Sequence, residues 1–249
     1  MDFELVTIFP EIFDSFFAHG IVRRAIEGGI IRVAVSDVRD FAEDRHRTTD
    51  DRPYGGGAGM VMKPEPLACA IQAAKERLPA AETILLSPQG RPFTQAVARN
   101  LSEKEALILV CGRYEGIDER IFESAIDDEL SIGDYVLTGG EPAAMVVLDA
   151  LTRLVPGALG AEDSAEYDSF STDLLEHAHY TRPRVFDGMP VPEVLLSGNH
   201  GAVAEWRFEN SLFRTLVKRP DLLEGRELGR QERDALKRWL RHIEKLLSQ

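Results

Sequence analysis

Between residues 83 and 141 one design recurs: an apolar run ends in a loop that contains glycine. Thr83–Leu86 leads into Ser87-Pro88-Gln89-Gly90, and Ala106–Cys111 into Gly112-Arg113-Tyr114-Glu115-Gly116. Glu129–Ile132 leads into Gly133-Asp134-Tyr135-Val136-Leu137-Thr138-Gly139-Gly140-Glu141. Short apolar runs bounded by turn residues read as strands, and their alternation with helical patterns marks an α/β sheet. In open sheets of this class ligands sit beyond the carboxyl ends of the strands, where loops offer backbone N–H and C=O groups. Three such loops in one chain favour a pocket more strongly than one would.

The flanking sequence extends the pattern. Phe3–Ile8 and Ile31–Ser36 read as strands and Pro10–Ala18 as a short helix. From Asp37 to Ala58 no apolar period is visible, and Gly55, Gly56, Gly57 and Gly59 follow Arg52-Pro53-Tyr54, so this stretch reads as a flexible connector. A helix is predicted from Pro142, which suits a first turn, with Glu141 beside its positive end. Its run Ala143–Leu148 is apolar on every face and must be buried, either against a second subunit in a homodimer or under the monomer's own sheet. The pattern lapses from Pro156 to Thr181, which reads as an ordered loop or linker. The stretch from Leu195 is helical and separate. There Leu236, Trp239, Leu240, Ile243, Leu246 and Leu247 recur at helical spacing, a stripe expected to pack into a core.

Charge alone argues against a nucleic-acid partner, because the net value is −13. Its distribution reverses the inference. Residues 102–175 carry 17 acidic and 4 basic side chains, which accounts for the entire excess. Elsewhere Arg23-Arg24, Arg45-His46-Arg47 with Arg52, Arg182 with Arg184, and Lys218-Arg219 form clusters able to meet phosphates. The N-terminus shows no secretory signal, and no apolar run approaches the ~20 residues of a membrane span. The two cysteines, Cys69 and Cys111, form no metal or redox pattern. A soluble cytoplasmic chain is expected.

Dinucleotide, P-loop and nucleophile-elbow motifs are all absent. His177 and His179 stand two apart, which suits an extended segment, but no third ligand completes a metal set in the sequence pattern. What remains is a group of glycine loops without a phosphate-binding lysine. With the Tyr114 and Tyr135 rings and the apolar walls of Leu86, Ile132 and Leu137, they suit an adenosine-like ligand better than a triphosphate.

These three loops, together with His179-Tyr180-Thr181-Arg182-Pro183, Asp51-Arg52-Pro53-Tyr54-Gly55-Gly56-Gly57 and Ser197-Gly198-Asn199-His200, resemble the bacterial tRNA (guanine-N(1)-)-methyltransferases, the TrmD family of SPOUT knotted methyltransferases. The likeness runs from Phe3 to about Leu223, and its motifs are long and ordered. The chain departs from the family at Pro142-Ala143, where Leu-Pro is frequent, and at Ala178, where Pro is common.

The resemblance implies an α/β fold: a trefoil-knotted, parallel-sheet methyltransferase domain (1–160), a linker (161–180) and a small helical tRNA-binding domain (181–249). Knots are rare, and neither composition nor periodicity indicates one here. The implied cofactor is S-adenosylmethionine, held by Leu86, Ser87, Pro88, Gly112, Tyr114, Glu115, Ser131, Ile132, Gly133, Asp134, Tyr135, Val136, Leu137, Gly139 and Gly140. The implied substrate is the guanosine 3′ of a tRNA anticodon, preceded by another guanosine. Asp168, in Glu166-Tyr167-Asp168-Ser169-Phe170, takes the general base position, and Arg153 the position that stabilises charge on guanine O6. Magnesium (Mg2+) is implied during catalysis, with Glu115 as a participant, and Arg182 and His179 are implied in RNA contact.

Each assignment has a plainer counterpart. Asp168 can be one more acid in an acidic linker, and Arg153 can simply complement a helix C-terminus. A knotted methyltransferase acting on another RNA site, or an RNA-binding protein with a decayed cofactor pocket, shares the same motifs.

Overall fold

Every residue of Ala106–Cys111 is buried, as a strand covered on both faces requires. In the computed structural model, which describes residues 1–160 and 168–248, this strand is central to a sheet. The first unit, Met1–Glu162, runs β1 (Asp2–Thr7), α1 (Asp14–Phe17), α2 (Gly20–Glu27), β2 (Arg32–Asp37), β3 (Asp50–Asp51), β4 (Val61–Met62), α3 (Pro64–Arg77), β5 (Glu82–Pro92), α4 (Gln95–Ser102), β6 (Ala106–Cys111), α5 (Glu119–Ala125), β7 (Asp128–Ser131) and α6 (Glu141–Thr152). Five strands pair in parallel in the order β2-β1-β6-β5-β7.

Alternation along the central strands divides the core. Phe3 and Leu5 of β1 join Leu107 and Leu109 of β6 on one face, against Val22, Leu101, Val147, Leu148 and Leu151 of α2, α4 and α6. Val6, Ile108 and Val110 point to the other face, against Leu67, Ala70 and Ile71 of α3 and Ile121 of α5. This is the two-residue strand period expressed as two helical layers around one sheet.

Several elements depart from their sequence signals. Pro10–Ala18 is a 3-10 turn, Pro10–Phe13, followed by the single turn of α1. Ser87–Gly90 does not end its strand. Leu86 and Arg91 both pair with Leu130, so the four residues between them form a bulge inside β5, which then resumes beside β7. The polar connector is also ordered. Asp50–Asp51 pairs with Val61–Met62, and Met62 donates its N–H to the Gly116 carbonyl at 2.9 Å. Glu115 N–H donates to the Met60 carbonyl at 3.0 Å, so the connector is stitched to the loop after β6. Helix α6 buries Ala143, Ala144, Val147, Leu148 and Leu151, but Pro142, Val146 and Asp149 lie on an exposed face. Within the single chain the helix is therefore buried on one broad side, and the exposed face is the one that a second subunit would have to cover.

The second unit, Asp163–Gln249, has a hairpin of β8 (Val185–Phe186) and β9 (Met189–Pro190), then α7 (His200–Lys218) and α8 (Arg230–Leu247). Asp187 and Gly188 at the hairpin tip both have positive φ, the conformation a two-residue Asp-Gly turn requires. Asn199 caps α7 by accepting from Ala202 N–H at 3.2 Å. The small core joins Leu174, Leu212 and Ala235, with Phe208, Leu236 and Trp239 packed against it. The α8 stripe leaves this core after one further turn: Leu240, Ile243, Leu246 and Leu247 are exposed, contrary to the expected core packing. Among the described residues no helix is long and apolar enough to cross a membrane.

Candidate functional site

The three glycine loops meet. At the bulge of β5 and the carboxyl ends of β6 and β7 they enclose a cavity of about 420 Å³, within the range of small-molecule sites. Two loops are joined directly: Gly140 donates its N–H to the Gly112 carbonyl at 2.8 Å. Only glycine permits this closeness at 140, because a methyl group there would sit 2.8 Å from Cys111 Cα.

Beneath the joined loops lies a charge lock. Glu141 is fully buried at the start of α6, and its carboxylate accepts from Thr7 Oγ1 at 2.7 Å and Arg113 Nε at 2.8 Å. Arg113 also donates to the Thr138 carbonyl at 3.2 Å and lies over the Phe9 ring, 4.7 Å from its centroid. One guanidinium thereby ties the loop after β6 to the loop after β7. Tyr114 takes a left-handed backbone, φ 62°, and partial burial beside Asp50 pushes its hydroxyl pKa upward, keeping the phenol neutral. Tyr135 folds back so that its hydroxyl donates to the Ile132 carbonyl at 3.2 Å. Burial also raises the Cys111 thiol well above its ordinary range, which makes it inert.

Of the residues expected around the cofactor, Leu86, Ser87, Pro88, Gly112, Tyr114, Glu115, Ser131, Ile132, Gly133, Tyr135, Val136, Leu137, Gly139 and Gly140 all line this cavity; Asp134 does not. The lining also includes Glu119 and Phe122 of α5, which carry no motif, and Glu129 of β7. Among the described residues Arg113 is the single basic side chain in the lining, and Glu141 already holds it. Glu115, Glu119 and Glu129 therefore set the sign: the cavity suits a cation or a neutral ring and repels phosphate.

Arg153 forms the C-terminal cap of α6 in the first unit, half-buried. Asp168 belongs to the second unit, also half-buried, and its carbonyl accepts from Ser171 N–H at 3.1 Å. Glu166 and Tyr167, which precede it in the motif, lie outside the described residues, as does the first part of the expected linker. Glu176 lies with His177 and His179, a carboxylate beside the histidine pair that the sequence pattern did not indicate.

A family model described as "tRNA (Guanine-1)-methyltransferase TrmD" matches residues 1–225. The chain belongs to this family. A protein from Desulfatibacillum aliphaticivorans named tRNA (guanine-N(1)-)-methyltransferase is 59% identical over 243 residues, covering 98% of this chain and 93% of its own. Proteins of the same name from Geotalea uraniireducens (56% over 236 residues, 95% and 96% covered) and Halorhodospira halophila (57% over 234 residues, 94% and 89% covered) are similar. The family match ends at residue 225, ahead of α8. Methyltransferases of the TrmD family imply S-adenosylmethionine as methyl donor, and the acidic cavity fits a ligand that carries positive charge on both sulfur and amino group.

Proposed function

We propose that this protein transfers a methyl group from S-adenosylmethionine to N1 of the guanosine immediately 3′ of a tRNA anticodon. The observation that carries the reading is the cavity: family motifs separated by many residues converge on one site whose charge and lack of a free cation match this donor. Leu86, Ile132, Leu137 and the Tyr135 ring supply apolar surface for adenine, and the glycines at 112, 133, 139 and 140 let backbone groups approach the ribose. When bound, the cofactor supplies a methyl group on a cationic sulfur, which reacts with an available lone pair.

Neutral guanine offers no such pair at N1, where nitrogen carries a proton. Asp168 is the group we assign to take that proton, leaving the N1 electron pair to form the new N–C bond. Arg153 then stabilises the negative charge that develops on O6. The guanine must leave its stack to be reached, and an anticodon loop permits that more readily than a duplex. The second unit, with Arg182, His179 and the basic residues of α7 and α8, is assigned to RNA binding, and residues 161–180 to the link between the two functions. Glu115 is the assigned participant for Mg2+.

The same reading includes a trefoil knot. It is supported by the family membership and is compatible with two close backbone approaches: a methyl group at Gly90 would sit 2.5 Å from the backbone of Glu129 and Leu130, and Gly140 lies against Cys111. A cytoplasmic homodimer is also part of it. Val146, 48% exposed on α6, and the exposed Val136 offer apolar surface for a second copy. The test is methyl transfer from labelled S-adenosylmethionine to two tRNA transcripts that differ only in the base after the anticodon. The guanosine transcript is expected to be methylated and the adenosine transcript to stay unlabelled; equal labelling of both overturns the assigned site.

A further inference from the structure

We propose that Glu176, His177 and His179 form a binding site for a divalent transition ion of the zinc class. None of the three lines the cofactor cavity, and His179 is also among the residues assigned above to RNA contact. One ligand atom from each residue lies within 4.8 Å of the other two, the only such grouping of three among the described residues. Imidazole nitrogen with one carboxylate oxygen is a donor set for zinc, nickel or cobalt, whereas Mg2+ selects oxygen ligands and retains water.

The surroundings favour a preformed site. His177 Nδ1 lies 3.1 Å from the Ala178 carbonyl; donation there fixes the tautomer that leaves Nε2 with its lone pair, the usual arrangement around a ligating histidine. His179 Nε2 meets Glu176 Oε1 at 2.8 Å, a contact in which an ion can replace the shared proton. The backbone on either side of His177 is pinned to α7: Leu175 N–H donates to Thr215 Oγ1 at 2.9 Å, and Ala178 N–H donates to Asn210 Oδ1 at 2.7 Å. Glu176 N–H is held by Ser169 Oγ at 3.0 Å. Because the segment is fixed before any ion arrives, little ordering entropy opposes binding. The His179 side chain stays 65% exposed, so an ion held here keeps coordination positions open to water or to a phosphate oxygen.

The test uses full-length protein stripped with EDTA and then titrated with zinc chloride by calorimetry. A parallel titration with nickel chloride follows tryptophan fluorescence, since the Trp206 ring lies 6.4 Å from the His177 ring. Saturation at a single equivalent is expected, with quenching by nickel and no displacement by excess Mg2+. The double variant His177→Gln/His179→Gln is expected to lose about a hundredfold or more in zinc affinity, and Glu176→Gln about tenfold. Circular dichroism melts matching the parent establish that both variants are folded. Absence of saturable zinc binding overturns the proposal, as does binding that survives the double variant or that Mg2+ displaces; unchanged affinity in Glu176→Gln removes the carboxylate from the site.

Discussion

Asp168→Ala is expected to slow methyl transfer by about 10²–10⁴-fold, the range over which a positioned general base contributes. Affinity for S-adenosylmethionine should be unchanged. The size of the effect follows from the substrate rather than from the donor. The methyl group is already activated by its cationic sulfur, but N1 of neutral guanine holds a proton and has no lone pair free for attack. A carboxylate is a weak base toward a ring N–H, so its contribution depends on being held at N1 as the new bond forms. Asp168→Asn is the sharper variant, because it keeps shape and removes basicity. Single-turnover transfer measured beside calorimetric cofactor binding separates the roles: slow transfer with intact binding assigns Asp168 to chemistry, and wild-type rates in both variants remove it.

Arg113→Ala is expected to destabilise the folded protein by about 3–5 kcal/mol, the cost of leaving a buried charge without its partner. Glu141 has no solvent exposure, and after the substitution Thr7 Oγ1 alone remains, among the described residues, to serve its carboxylate. The damage is local to the cavity as well, since Arg113 also holds the Thr138 carbonyl in the loop after β7. Urea unfolding of the full-length protein measures the loss. The double variant Arg113→Met/Glu141→Met provides the control: removing both charges should restore most of the stability, because paired apolar replacements of buried ion pairs are often neutral. A loss below about 1 kcal/mol in Arg113→Ala would place the pair among solvent-screened surface bridges and contradict the lock.

How legible all this was in the sequence depended on whether the determining contacts are local. Strand β6 and the glycine loops could be read directly, because a buried parallel strand announces itself as an unbroken apolar run. Topology then forces the ends of neighbouring parallel strands to the same edge. Helix α3 carries equally local signals: Pro64 in its first turn and Leu67, Ala70, Ile71 and Ala74 at helical spacing. The Ser87–Gly90 bulge could not be told from a strand-ending turn, since what distinguishes them is the return of Arg91 and Pro92 to pair with β7. The connector from Asp37 looks structureless because its partner, the loop at Gly116, is distant in sequence. Apolar residues at 146, 240, 243 and 247 match buried ones in composition, and only three-dimensional packing leaves them outside. Glu176 was hidden for a related reason: a neighbour in sequence usually faces away in an extended segment, and here the chain brings its carboxylate back to His179.

The central claim concerns one atom, and the most direct measurement is the identity of the nucleoside formed. A tRNA transcript with two adjacent guanosines at the end of the anticodon and just after it is incubated with the protein and S-adenosylmethionine, digested, and resolved by chromatography with mass spectrometry against methylguanosine standards. The account predicts 1-methylguanosine alone, located at the residue 3′ of the anticodon. Methylation at N7 or the exocyclic N2, or at a different residue, would contradict it.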